Sequence, residues 1–145
     1  MKILLFSIGL LLSLAFYSCD ETDELNPTQY TEIYCSNSSD SLVKVYLFNH
    51  GKLEFDFEMN PQDTIKIDSG KFDNFGSTLK VPYLLDSAIF AFNNGRKITQ
   101  VQYSTRIFSD TINCILNSYD YQRTFVGNIE NWTFTVTQED YERAK

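Results

Sequence analysis

The chain has 145 residues, with 19 acidic against 12 basic side chains and a net charge of −7. Phosphate binding needs clustered lysine and arginine, but here the basic residues are scattered and Arg96-Lys97 is their only adjacent pair, which excludes nucleic acid as a partner class. With a single histidine, His50, and no glycine-rich phosphate loop, general-base and nucleotide chemistry have no evident centre, and no cofactor is expected.

Met1-Lys2 places a positive charge ahead of an uncharged apolar run from Ile3 to Tyr17, the n-region and h-region of a secretion signal. The run is shorter than the roughly twenty apolar residues that span a bilayer, so it reads as a cleaved leader rather than a retained helix. It closes on Leu14-Ala15-Phe16-Tyr17-Ser18-Cys19. A small residue directly before a cysteine resembles the lipobox of bacterial lipoproteins, with Phe16 and Tyr17 standing where that pattern usually has an aliphatic and a small residue. The resemblance implies cleavage after Ser18, lipidation of Cys19 and a membrane as the first partner.

Asp20-Glu21-Thr22-Asp23-Glu24 follows, then Leu25-Asn26-Pro27. So dense a run of carboxylates cannot pack and stays solvated, as a tether. Asp20, Glu21, Asp23 and Glu24 directly behind the cysteine also resemble the surface-export signal of Bacteroidota lipoproteins, which implies display outside the cell at the outer membrane. An acidic spacer without an address is the alternative. Loss of the leader removes Lys2 and no acid, so the mature chain is more acidic still. Each buried acyl methylene contributes about 0.8 kcal/mol, and a lipidated domain needs no membrane-binding face of its own.

Residues 28–145 are sized for one domain. They are rich in aromatic and β-branched residues and broken by regular turn signals, which predicts an all-β fold: a single antiparallel β-sandwich, immunoglobulin-like in the loose sense, ending in a short helical turn. Leu53 to Met59 alternates apolar and acidic residues without exception and reads as a half-buried strand. Leu42 to Phe48 precedes it. A three-residue loop, Asn49-His50-Gly51, pairs Val43, Val45 and Leu47 with Phe57, Phe55 and Leu53, with Gly51 in the left-handed region, whereas a two-residue loop sets Val45 against Asp56.

Asn60 to Asp63 reads as a turn and Thr64 to Ile67 as a short strand, followed by a loop from Asp68-Ser69-Gly70 through Asn74-Phe75-Gly76. Ser87 to Phe92 and Lys97 to Tyr103 flank Asn94-Gly95, a strong hairpin signal. Thr111 to Leu116 and Trp132 to Val136 are further strands. Thr137 caps a C-terminal helical turn, with Asp140 at its third position. The segment Phe134 to Ala144 is loosely similar to the tails of small uncharacterised lipoproteins of the same bacterial group, and the likeness carries no activity.

Cys35 and Cys114 are left as a pair once Cys19 carries lipid. A disulfide between them would restrict the unfolded chain by roughly 4.5 kcal/mol; two buried thiols fit the sequence equally well. Glu54, Asp56 and Glu58 project from one face of one strand about 7 Å apart, too wide to wrap a calcium ion, and read as a solvated face. Asp63, Asp68 and Asp73 match no calcium loop, so no metal site is expected. Asn37-Ser38-Ser39 and Asn131-Trp132-Thr133 match a glycosylation sequon but read as ordinary polar positions.

The remaining candidate is Ser118-Tyr119-Asp120-Tyr121-Gln122-Arg123. Its tyrosines among hydrogen-bonding neighbours suit a protein- or glycan-binding surface built on Tyr119, Tyr121 and Arg123, while half-buried tyrosines of the core or of a strand face are the more ordinary reading of the same residues. The function expected is therefore a non-enzymatic binding or accessory module of the cell envelope. Two alternatives remain: an inhibitor that inserts a hairpin loop, Asn49 to Lys52 or Asn93 to Arg96, into an attacking enzyme, and a hydrolase using carboxylates assembled by the fold.

Overall fold

The computed structural model describes residues 29–73, 76–102 and 113–145. The leader, Cys19 and the acidic run Asp20, Glu21, Asp23 and Glu24 lie outside the described residues, as do the predicted strand ends at Tyr103 and Thr111.

The fold is an all-β sandwich. Its strands are β1 (Gln29–Asn37), β2 (Val43–Asn49), β3 (Lys52–Met59), β4 (Thr64–Asp73), β5 (Gly76–Ser77), β6 (Ser87–Phe92), β7 (Lys97–Val101), β8 (Gln122–Val126) and β9 (Ile129–Val136), followed by helix α1 (Gln138–Arg143). One sheet has the order β5-β4-β1-β9-β8 and the other β3-β2-β6-β7. The expected purely antiparallel arrangement needs one correction. β1 and β9 run parallel, from Tyr30 against Ile129 to Asn37 against Val136, which two strands so far apart in sequence can do without a tight connection.

Alternating residues of both sheets meet in one core: Ile33 and Cys35 of β1, Val43, Val45 and Leu47 of β2, Phe90 of β6, and Trp132, Phe134 and Val136 of β9. The rings of Phe90 and Phe134 touch across the two layers, 5.9 Å between centroids. Asn37 stands where the chain leaves β1 for the other sheet. It is fully buried, donates from Nδ2 to the carbonyls of Ser41, Met59 and Asn60 at 2.8, 3.2 and 3.1 Å, and accepts from the Ser39 amide and hydroxyl. The sequon at Asn37 is thus a corner bracket.

The β2–β3 hairpin forms, but in a different register from the expected one. The loop is the two residues His50-Gly51, both with positive φ (50° and 74°), as a twist-matched hairpin turn requires. Phe48 pairs with Leu53, and a bulge at Glu54 then sets Leu47 against Phe55, Val45 against Phe57 and Val43 against Met59. An extra residue in one strand moves every later pair by one, so the bulge restores the apolar match that a plain two-residue loop would lose.

β4 runs on to Asp73, through the segment expected as a loop. A second bulge, at Ile67, lets the ladder continue, and the residues read as turn formers serve another purpose. Asp68 accepts the backbone N–H groups of Lys80 (2.7 Å) and Val81 (3.0 Å), holding the strap 78–86 that leads to β6. Gly70 lies buried beneath that strap; a Cβ there would stand 2.5 Å from Thr78 Oγ1 and 3.1 Å from the Leu79 backbone nitrogen. Gly70→Ala is expected to destabilise the fold by about 1–3 kcal/mol through overpacking, read in urea unfolding; an unchanged midpoint would mean that the strap yields freely.

Ser87–Phe92 and Lys97–Val101 form the second hairpin, closed by Gly95 at φ 83°. The expected strand up to Leu116 is not one. Asn113 has φ 72° and residues 113–117 turn, because Gln100 takes the partners a ladder would use: its Nε2 donates to the Asn113 carbonyl and its Oε1 accepts from the Ile115 amide, both at 2.9 Å. The C-terminal helix matches expectation. Thr137 caps α1, and Asp140 completes a capping box with it.

Candidate binding surface

β8 and β9 form a hairpin around Gly127-Asn128, with Arg123 opposite Trp132 and Phe125 opposite Glu130. Every residue of β8 is exposed, including Arg123 and Phe125, which share a sheet face with Trp132 and Glu130 of β9. Trp132, nearly fully buried, is the floor there. The Arg123 guanidinium lies over the indole at 4.0 Å and donates to the Ser118 carbonyl at 3.2 Å. A cation over a tryptophan face is held by the ring quadrupole, about 0.5–1 kcal/mol where solvent reaches it.

The 3₁₀ turn Ser118–Asp120 is pinned at both ends. Asn117 caps it by accepting from the Tyr119 amide, and Asp120 accepts from the Cys114 amide at 2.8 Å. Tyr121 is drawn inward, where its hydroxyl donates to the Ile115 carbonyl at 2.6 Å and its ring packs on Trp132 and Phe134. Tyr119, two residues earlier, stands 80% exposed while Tyr121 is 6% exposed. The two readings of these tyrosines thus divide between them: Tyr121 is a core residue, where burial pushes its hydroxyl well above the ordinary pKa, and Tyr119 and Arg123 stay at the surface.

The strap supplies what the sequence reading missed. Tyr83 stands edge-on to Trp132 at 6.2 Å, and its hydroxyl hydrogen-bonds with the Ser118 side chain and feels the Arg123 charge. Partial burial raises its pKa, and the Arg123 charge opposes the rise. Tyr83, Leu84, Tyr119 and Phe125 are all exposed. The result is a surface of rings around one stacked arginine, able to cover an apolar face and to give hydrogen bonds at its rim. Trp132 Nε1, buried in the floor, finds no acceptor among the described residues.

The other candidates lie apart from this surface. His50 is exposed at its hairpin tip, where its backbone amide donates to Asp86. Glu58 pairs with Lys44 at 3.0 Å, Glu54 with Lys52 at 3.6 Å and Lys80 at 3.5 Å, and Asp56 is exposed. Asn94 of the second hairpin donates to the Tyr141 hydroxyl, and Arg96 lies over the same ring, so that loop is tied to α1. Among the described residues, no three His, Cys, Asp or Glu side chains gather into a metal-binding group.

Cys35 and Cys114 are free thiols, the first fully buried on β1 and the second partly covered. Burial raises the pKa of both, which lowers their reactivity. In a Cys19→Ser chain, a thiol reagent is expected to modify Cys114 slowly and Cys35 only after unfolding. If unfolding without reductant released no thiol at all, the two would be bridged.

No protein-family model, curated protein or solved structure matches the chain.

Proposed function

We propose that the chain is a lipid-anchored protein of the bacterial outer membrane, held by Cys19 and displayed at the surface by its acidic tether, whose sandwich binds a protein or glycan and carries out no chemistry. The address rests on the resemblance of Leu14 to Cys19 to a lipobox and of Asp20 to Glu24 to an export signal. The binding role is carried by one observation: Tyr119 is held in solvent by a turn that Asn117 caps and the Asp120–Cys114 bond pins, beside Tyr83 and the Arg123–Trp132 stack. A core has no use for a ring so placed, and exposed aromatics beside arginine are the side chains that dominate binding interfaces.

Two measurements test this. Metabolic labelling with a fatty acid should tag the native chain and not Cys19→Ser; an unlabelled native chain would refute the anchor. A panel of glycans and envelope or host proteins should yield a ligand whose affinity falls about tenfold or more with Tyr119→Ala, a loss of at least about 1.4 kcal/mol. A ligand indifferent to Tyr119 and Arg123 would remove this surface from the proposal, and turnover of any panel member dependent on specific side chains would refute the non-enzymatic role.

A further inference from the structure

We infer that the free edge of β8 is a self-association surface, and that two copies of the chain join β8 to β8 as an antiparallel pair that fuses their five-stranded sheets. The inference shares Arg123 and Phe125 with the aromatic surface, but it rests on the backbone edge of β8 and not on what that surface binds.

Sheet edges invite pairing unless they are blunted, and the other edges are blunted. β3 carries Lys52, Glu54, Asp56 and Glu58. On β7, Lys97 exchanges both backbone hydrogen bonds with Lys145. β5 has two residues, and β4 beside it carries Lys66 and Asp68. β8 has five exposed residues and one charge, Arg123, and among the described residues no strand lies beyond it. Phe125 and Val126 are each 65% exposed on this edge.

The hairpin fixes which backbone groups are free. Val126 and Ile129 flank a two-residue loop, so they exchange both hydrogen bonds, and Thr124 and Gln122 follow them at period two. Arg123 and Phe125 therefore direct their N–H and C=O groups outward. A two-fold axis at Thr124 sets Arg123 of each copy opposite Phe125 of the other, which brings these outward groups face to face with no like charges opposed. An axis at Arg123 would oppose two guanidinium groups, and one at Phe125 would set Arg123 against the turn at Gly127. In the Thr124 register, Phe125 packs beside an arginine already stacked on Trp132, giving the cation a ring on each side.

The test is oxidative cross-linking of the full-length chain in the membrane of the cells that make it. Across the two-fold axis the Thr124 Cα atoms would lie about 4.5 Å apart, within disulfide range. Thr124→Cys should give a covalent dimer well above the background that Cys19, Cys35 and Cys114 set in the unsubstituted chain, and Gln122→Cys, displaced from the axis, should not. Adding Phe125→Arg, which opposes two cations twice, should reduce the Thr124→Cys dimer about fivefold. Phe125 is exposed, and unchanged Trp132 fluorescence in the monomer confirms that this variant folds. Three results would each overturn the inference: Thr124→Cys remaining monomeric or linking only to a different protein, linking no better than Gln122→Cys, or linking undiminished with Phe125→Arg.

Discussion

Replacing Asn37 with alanine is expected to destabilise the fold by about 3 kcal/mol, although the position reads in sequence as a polar residue between strands. The side chain serves the Ser41, Met59 and Asn60 carbonyls and the Ser39 amide and hydroxyl and is itself fully buried, while the Asn60 carbonyl keeps a second donor in Asp63 and the Ser41 carbonyl one in Ser39. Each buried group left without a partner costs roughly 1–3 kcal/mol, and partial relaxation keeps the total below the sum. The measurement is urea unfolding, where the midpoint should fall at unchanged slope. A loss below about 1 kcal/mol, the value of a single ordinary hydrogen bond, would mean that the corner is held by its backbone bonds alone.

Asp140→Ala should have a comparable effect, about 2–4 kcal/mol, by a different route. The carboxylate is buried and accepts from the Thr137 amide and hydroxyl at 2.8 Å, from Asn113 Nδ2 at 2.6 Å and from Arg143 at 2.6 Å. Its removal takes away the reciprocal half of the α1 capping box, leaving the Thr137 cap itself, and releases the turn at Asn113, which also bonds the Thr135 carbonyl and the Gln100 side chain. The loss should therefore exceed the roughly 1 kcal/mol of a helix cap, and hydrogen exchange should rise at Ile115 and across α1 together. Exchange rising in α1 alone would show that Asp140 is only a cap.

The strands with strict alternation were legible in the sequence, because a period of two has one physical reading. Leu53 to Met59 and Trp132 to Val136 are strands, and the helix cap at Thr137 followed from residue chemistry alone. Register was not legible at the first hairpin, since a bulge at Glu54 changes the count without changing the pattern. Asp68-Ser69-Gly70 misled for a related reason: carboxylates and glycines that suit turns also suit the docking of a strap onto a strand, and the strap is distant in sequence. Tyr119 and Tyr121 look equivalent as a pair of tyrosines among polar neighbours. Only the Ile115 carbonyl, which one of them reaches, separates core from surface. Tyr83 carried no local signal, because what makes it part of the site is the Trp132 ring from β9.

The most direct test of the proposed display is protease shaving of intact cells, comparing the native chain with one in which Asp20, Glu21, Asp23 and Glu24 are all alanine. The native chain should be removed and the variant protected, which would direct the search for partners outward from the cell. Protection of the native chain on cells whose known surface proteins are cleaved would contradict surface display and turn the aromatic surface toward partners inside the envelope.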